Sequence, residues 1–182
     1  MRHRGLTLVQ LLVAIGTLAL LSALLFPTIR GQVDKAKQKG CVSNLRQLHA
    51  ALMLYREAQD GAVPYGRGEA MGLPPIMSMV YPSLVPDKHV FHCRAPSGNY
   101  AAKVFTQLWA VSGMDGLFPP WPEYVNQYKE DAVLLVDMNH DPAEHPRLEY
   151  VTHYGIAIYL GGQVRVVHRV GTPTERTWWN PE

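Results

Sequence analysis

Between Leu6 and Phe26 the chain carries no charged side chain, and its polar ones are Thr7, Gln10, Thr17 and Ser22. At about 1.5 Å per residue, such a run spans roughly 30 Å as a helix, the depth of a bilayer's hydrocarbon layer. It exceeds the roughly 7–15 apolar residues of a secretory signal, and Ser22-Ala23-Leu24 offers no small-x-small cleavage site. Arg2 and Arg4 before the run favour a cytoplasmic N-terminus, with the rest of the chain exported. The pattern therefore predicts a single-pass protein of the cytoplasmic (inner) membrane, in contact with lipid, N-terminus in and C-terminal head outside.

After Pro27 the pattern changes period. Cys41, Leu45, Leu48, Leu52 and Tyr55 step by four, three, four and three residues, which makes one apolar stripe on a helix. Arg46, Gln47, His49 and Arg56 fall largely on other faces. Gly61 after Asp60, with Pro64 beyond, predicts the helix end. Gly31 and Gly40 each weaken the helix by about 1 kcal/mol relative to alanine, and with Pro27 they predict a bendable region. The stripe is too short for a coiled coil and is expected to pack on a sheet.

Two β-rich runs near the C-terminus, "GIAIYL" and "QVRVVH", flank Gly161-Gly162, the signature of a hairpin with a two-residue turn. Ile156, Ile158 and Leu160 share one face, Ala157 and Tyr159 the other. Ala132 to Asp137, "AVLLVD", reads as a buried strand. The expected fold class is α+β: a long N-terminal helix, one half apolar and one half amphipathic, packed on a small antiparallel sheet of three or four strands. Trp178 and Trp179 in the polar tail are expected to cap the core rather than form a contact patch. No element is assigned across 101–127.

The stretch "GLTLVQLLVAIGTLALLSALLFP" behind a short basic leader resembles the prepilin N-terminal cleavage and methylation motif of type IV pilins and type II secretion pseudopilins. The resemblance implies cleavage between Gly5 and Leu6, methylation of Leu6, retention of the helix, and a helix-loosening role for Pro27. It departs from the family at two places. The new N-terminus is usually Phe or Met and is Leu6 here; the fifth residue after the cut is usually glutamate and is Gln10 here. An amide can accept a hydrogen bond from a neighbour's ammonium but supplies no opposite charge. That leaves three readings: weaker assembly, a tip position with no neighbour above it, or a glutamine that suffices. Further on, "KGCVSNLRQL", "YPSLVPDKHVFHCRAPSG" and "HYGIAIYLGGQVRVV" resemble three segments of a large bacterial pseudopilin-like group, the last through His153, although Gly161-Gly162 replaces that group's Asp-Gly. The implied pilin-like organisation is a leader at 1–5, a transmembrane and assembly helix at 6–26, its amphipathic continuation at 27–60, and a loop-rich head with a C-terminal hairpin at 61–182.

Composition narrows this further. The chain has 182 residues and a formal net charge of +2 with histidines neutral. That leaves one small head and no electrostatic footprint for nucleic acid. The two cysteines, Cys41 and Cys93, permit one bridge in an exported domain, and two buried free thiols fit the sequence equally.

The richest chemistry is "DMNHDPAEH", with Asp137, His140, Asp141, Glu144 and His145 as candidate metal ligands. Calcium is the ion the pseudopilin resemblance brings to a loop at this position. The spacing matches no zincin, and Pro142 and Pro146 break any helical face, so a solvated acidic loop is the favoured expectation. In "HVFHC", strand alternation places His89 and Cys93 on one face and His92 on the other, a weak zinc signal. His153 is expected to be a hydrogen-bonded structural histidine. Ser78 and Ser97 have no triad context, and there is no Gly-x-Ser-x-Gly, phosphate loop or Cys-x-x-Cys, so no enzyme class is favoured. The expectation is a structural subunit whose partners are a prepilin peptidase, other pilin or pseudopilin subunits, and an inner-membrane assembly platform. The filament is expected at the cell surface or in the periplasm. The alternative is a membrane-anchored exported binding domain that never polymerises.

Overall fold

A computed structural model describes residues 8–60, 62–93, 105–109, 119–141, 150–173 and 175–180, and gives the backbone alone over 24–31. The protein is α+β. Helix α1 covers Leu8–Glu57 and α2 covers Trp121–Tyr128; the strands are β1 (Thr106–Gln107), β2 (Val133–Asp137), β3 (Thr152–Tyr159) and β4 (Val164–Val170). The chain divides into two compact units, Met1–Ala36 and Lys37–Glu182.

In the first unit, the side chains from Leu8 to Ala23 are all exposed. The hydroxyls of Thr17 and Ser22 turn back on their own helix, donating to the carbonyls of Ala14 (2.9 Å) and Leu18 (2.8 Å). Among the described residues no helix is long and apolar enough to cross a membrane, which overturns the expected single-pass inner-membrane placement. Helical backbone continues through Pro27, Gly31 and Gly40, so these positions do not end the helix.

In the second unit the predicted stripe is the wall of the core. Cys41, Leu45, Leu48 and Leu52 are buried with Ala51 beside them, while Tyr55 is half-buried. The helix stops at Glu57, three residues short of the expected Asp60. The Arg56 guanidinium there donates to the carbonyl of Pro64 (2.9 Å) and holds the departing chain.

The sheet is antiparallel throughout, in the order β1-β2-β3-β4. Strand β2 is buried along its whole length, and β3 is buried from Gly155 to Tyr159. One side of β3 is roofed by the C-terminal tail. A side chain at Gly155 would run into the ring of Trp179, and the Tyr159 hydroxyl donates to the Trp179 carbonyl (2.8 Å). Trp178 and Trp179 are both buried and meet edge to face, centroids 4.7 Å apart, which is the capping role.

The hairpin between β3 and β4 differs from the expected two-residue turn. The Gly162 N–H donates to the Tyr159 carbonyl (2.8 Å) and the Tyr159 N–H to that of Gln163 (2.9 Å). The loop is therefore Leu160-Gly161-Gly162, with Gly162 at φ +82°. This is a β-turn followed by a left-handed residue, the usual three-residue hairpin. The shape also frees the Leu160 carbonyl to meet Nε2 of His49 on α1 at 2.9 Å.

Helix α2, not assigned from sequence, starts after Pro120, with Pro122 in its first turn where no N–H is needed. Its Tyr124 hydroxyl accepts from the Val133 N–H of β2 (2.9 Å) and donates to Asn180 Oδ1. Burial pushes this phenol well above the ordinary tyrosine range, so it remains a donor.

Cys41 and Cys93, 52 residues apart, form a disulfide. Closing a loop of that length restricts the unfolded chain by about 4 kcal/mol. Replacing both cysteines by serine is expected to lower the unfolding free energy by about 2–5 kcal/mol, read from urea or guanidinium melts. An unchanged midpoint would contradict this.

Candidate functional site

Two parts of the molecule carry functional candidates: the exposed stretch of α1, and a buried corner of the head beneath the disulfide.

Gly5 and Leu6 lie outside the described residues. Gln10 sits in the first turn of α1 as an exposed residue among exposed apolar ones: Leu8, Val9, Leu11, Leu12, Val13, Ile15, Leu18, Leu20 and Leu21. More than half of each of these side chains is accessible, on every side of the helix. An apolar surface of that extent marks an interaction site rather than a finished exterior. Gly16 adds an open spot, since a side chain there would meet nothing within 4 Å.

The second part begins where β2 ends. Asp137, its last residue, is fully buried, which corrects the solvated setting expected for this residue. The chain bends back at once, so that Asp137 Oδ1 accepts from both the N–H (2.9 Å) and the side-chain amide (2.7 Å) of Asn139. These bonds compensate part of the carboxylate's desolvation, yet burial still dominates and raises its pKa above the ordinary carboxylate range. The other oxygen, Oδ2, is buried without a hydrogen bond, 3.6 Å from His140 Nε2.

The same His140 Nε2 lies 3.2 Å from Cys93 Sγ. Its ring meets Tyr154 of β3 edge-on, centroids 6.3 Å apart. One donor atom each from Cys41, Cys93, Asp137 and His140 falls within 4.8 Å of every other. This grouping draws on α1, the second residue beyond the turn Lys88–Phe91, the end of β2 and the bend that follows it. No spacing rule in the sequence links positions so far apart. Two of the candidate ligands, Asp137 and His140, are therefore brought together, but with cysteines rather than with each other's neighbours.

Asp141 faces elsewhere. Its Oδ2 is 2.6 Å from Nδ1 of His153 on β3, both side chains fully buried. His153 is thus tied as a structural histidine. Glu144 and His145 lie outside the described residues. His89 and Cys93 do not share a strand face, because Lys88–Phe91 is a 3-10 turn capped by Asp87, whose Oδ1 accepts the His89 N–H (2.8 Å).

Comparison with protein-family models, with curated proteins and with solved structures finds no match to this chain. Its reading therefore rests on its own residues.

Those residues also include one that sequence patterning passed over. Arg176 is almost fully buried and donates through Nε to the carbonyl of Leu108 (2.9 Å) and through Nη1 to that of Pro119 (2.5 Å). Its guanidinium lies 5.9 Å from the Trp121 ring centre. It is a bracket for the core rather than a reactive group.

The buried pair makes a direct test of the structural role given to His153. Asp141→Ala removes the carboxylate bonded to His153 Nδ1 in a dry site, and should cost about 1–3 kcal/mol of stability, measured by chemical denaturation. A loss below about 0.5 kcal/mol, the range of ordinary surface changes, would contradict the pairing.

Proposed function

We propose that this chain is a prepilin-like structural subunit with a pilin-like fold, cut after Gly5 by a prepilin peptidase and assembled into a type IV pilus or type II secretion pseudopilus. The observation that carries the reading is the accessibility of the apolar side chains from Leu8 to Leu21 all round α1. Such a surface is costly in water, at roughly 25 cal/mol per Å² of apolar area, and asks for cover from other apolar helices.

Several details favour helices of the same kind as that cover. Ala14, Gly16, Ala19 and Ala23 are small and let backbones approach closely. The hydroxyls of Thr17 and Ser22 are already bonded within the helix and bring no unmet donor into a dry interface. Gln10 stands where the resemblance expects a glutamate that meets a neighbour's N-terminal amine, and its amide oxygen accepts a hydrogen bond from an ammonium.

In this reading the head is cargo for the helix. It decorates the outside of the filament and offers a surface to a further subunit or a secreted substrate, while an assembly platform adds the subunits one by one. The work is mechanical, with no chemical step assigned to the chain.

Cleavage is the first requirement. Co-expression with a prepilin peptidase should remove Met1 to Gly5 from the wild-type chain and leave Gly5→Val intact, as read by whole-protein mass. Addition of one methyl to the shortened product would further support the reading. An uncut wild type would overturn it in favour of a chain that is never processed for assembly.

A further inference from the structure

We propose that reduction of the Cys41–Cys93 bridge converts the buried corner of the head into a four-ligand site for a zinc-class divalent cation, with Cys41, Cys93, His140 and Asp137 as the ligands. The inference stands apart from the assembly reading, since all four residues belong to the second compact unit.

The donor set is the first argument. Thiolate, imidazole and carboxylate are the ligands zinc takes in tetrahedral sites, at about 2.3 Å to sulfur and about 2.0–2.2 Å to nitrogen or oxygen. Those bond lengths place neighbouring donors about 3.3–3.8 Å apart in a tetrahedron. The Cys93 Sγ to His140 Nε2 distance of 3.2 Å and the His140 Nε2 to Asp137 Oδ2 distance of 3.6 Å are close to two such edges. All four donors already lie within 4.8 Å of one another.

The second argument is the state of Asp137. One of its oxygens is held by two bonds from Asn139, which fixes the plane of the carboxylate. The other is buried, makes no hydrogen bond, and points at His140. A carboxylate steadied on one side and open on the other is how outer partners orient a metal ligand. A divalent cation would add positive charge beside a carboxylate whose burial is costly, next to the His140 ring already 3.6 Å away.

The bridge is the gate. With the sulfurs bonded to each other, neither is a thiolate and the tetrahedron lacks two corners. Reduction takes two electrons and two protons from a dithiol, which closes to its own disulfide, and yields two thiols on the protein. Binding of the cation then releases both thiol protons to solvent. Rotation about the Cα–Cβ bonds is enough to part the sulfurs, with the Cα atoms 5.2 Å apart. The corner is thus clamped by a covalent bond when oxidised and by a metal when reduced.

Cobalt(II) is the probe of choice, because tetrahedral thiolate ligation gives it intense visible bands and a near-ultraviolet charge-transfer band. The full chain, kept in solution with a mild detergent, is reduced with a dithiol, desalted without oxygen and titrated with cobalt. Circular dichroism is followed in parallel. One cobalt per chain with both signatures is expected, displaced by zinc, and the oxidised chain should stay colourless. Asp137→Asn and His140→Ala should each weaken binding tenfold or more. If reduction loosens the fold, cobalt or zinc should restore it, since metal and folding are coupled. A folded reduced chain that takes no cobalt would overturn the proposal. So would binding that neither variant weakens, or a loosened chain that metal fails to refold.

Discussion

The head depends on one seam, the apolar stripe of α1 from Cys41 to Leu52 packed into the buried core of the sheet. Leu45, Leu48 and Leu52 are completely buried, and each contributes about 1.5–3 kcal/mol relative to an exposed side chain. Together they match or exceed the roughly 4 kcal/mol that a bridge across 52 residues contributes. The disulfide therefore reinforces a seam that hydrophobic packing already makes, at its N-terminal end. His49 adds a polar stitch at the hairpin, where its ring meets the Leu160 carbonyl. The rest of the core follows from this seam, since β2 and β3 are buried to a depth that one open-faced sheet would not allow. The C-terminal tail supplies the second cover through Trp178, Trp179 and the buried Arg176.

What was legible in the sequence was what periodicity encodes. The stripe on α1, the continuous apolar run of β2 and the glycine-marked hairpin each carry a local pattern, and each forms an element in the structure. Strand β1 is two residues long and exists only through its pairing with Val136 and Leu135, so no local pattern could announce it. Helix α2 did have signals: a proline-bearing first turn with Glu123 in it, followed by Tyr124 and Val125 on the buried side. Eight residues behind a pair of prolines are too few for the period to stand out. The turn at Gly161-Gly162 was read one residue short, because two glycines fit both hairpin types and only the bonds of Tyr159 distinguish them.

The candidate chemistry was legible only in part, and for a different reason. Asp137, His140 and Asp141 stood out as ligand-type residues in one loop, but charge patterning suggested a wet loop. In the described part of that loop, Asp137 to Asp141, both carboxylates are buried with a partner at hand: Asn139 for Asp137, and His153 for Asp141. The assembly of Asp137 and His140 with the two cysteines is a tertiary event, made by the same seam that holds α1 to the head. The apolar run was legible as apolar, but what covers it was not. A span across a bilayer was the natural reading, and the described helix does not supply one. The exposed side chains from Leu8 to Leu21 remain to be covered, and a surface of that extent calls for a partner.

The central claim is that copies of this chain, or of subunits like it, cover that surface. A photo-crosslinking amino acid at Leu12, in cells that make the peptidase and assembly platform, tests it directly. The account predicts dimers and a ladder of higher species joined through the N-terminal helix, all abolished by Ile15→Glu. Crosslinks confined to the monomer, or to proteins unrelated to filament subunits, would contradict it.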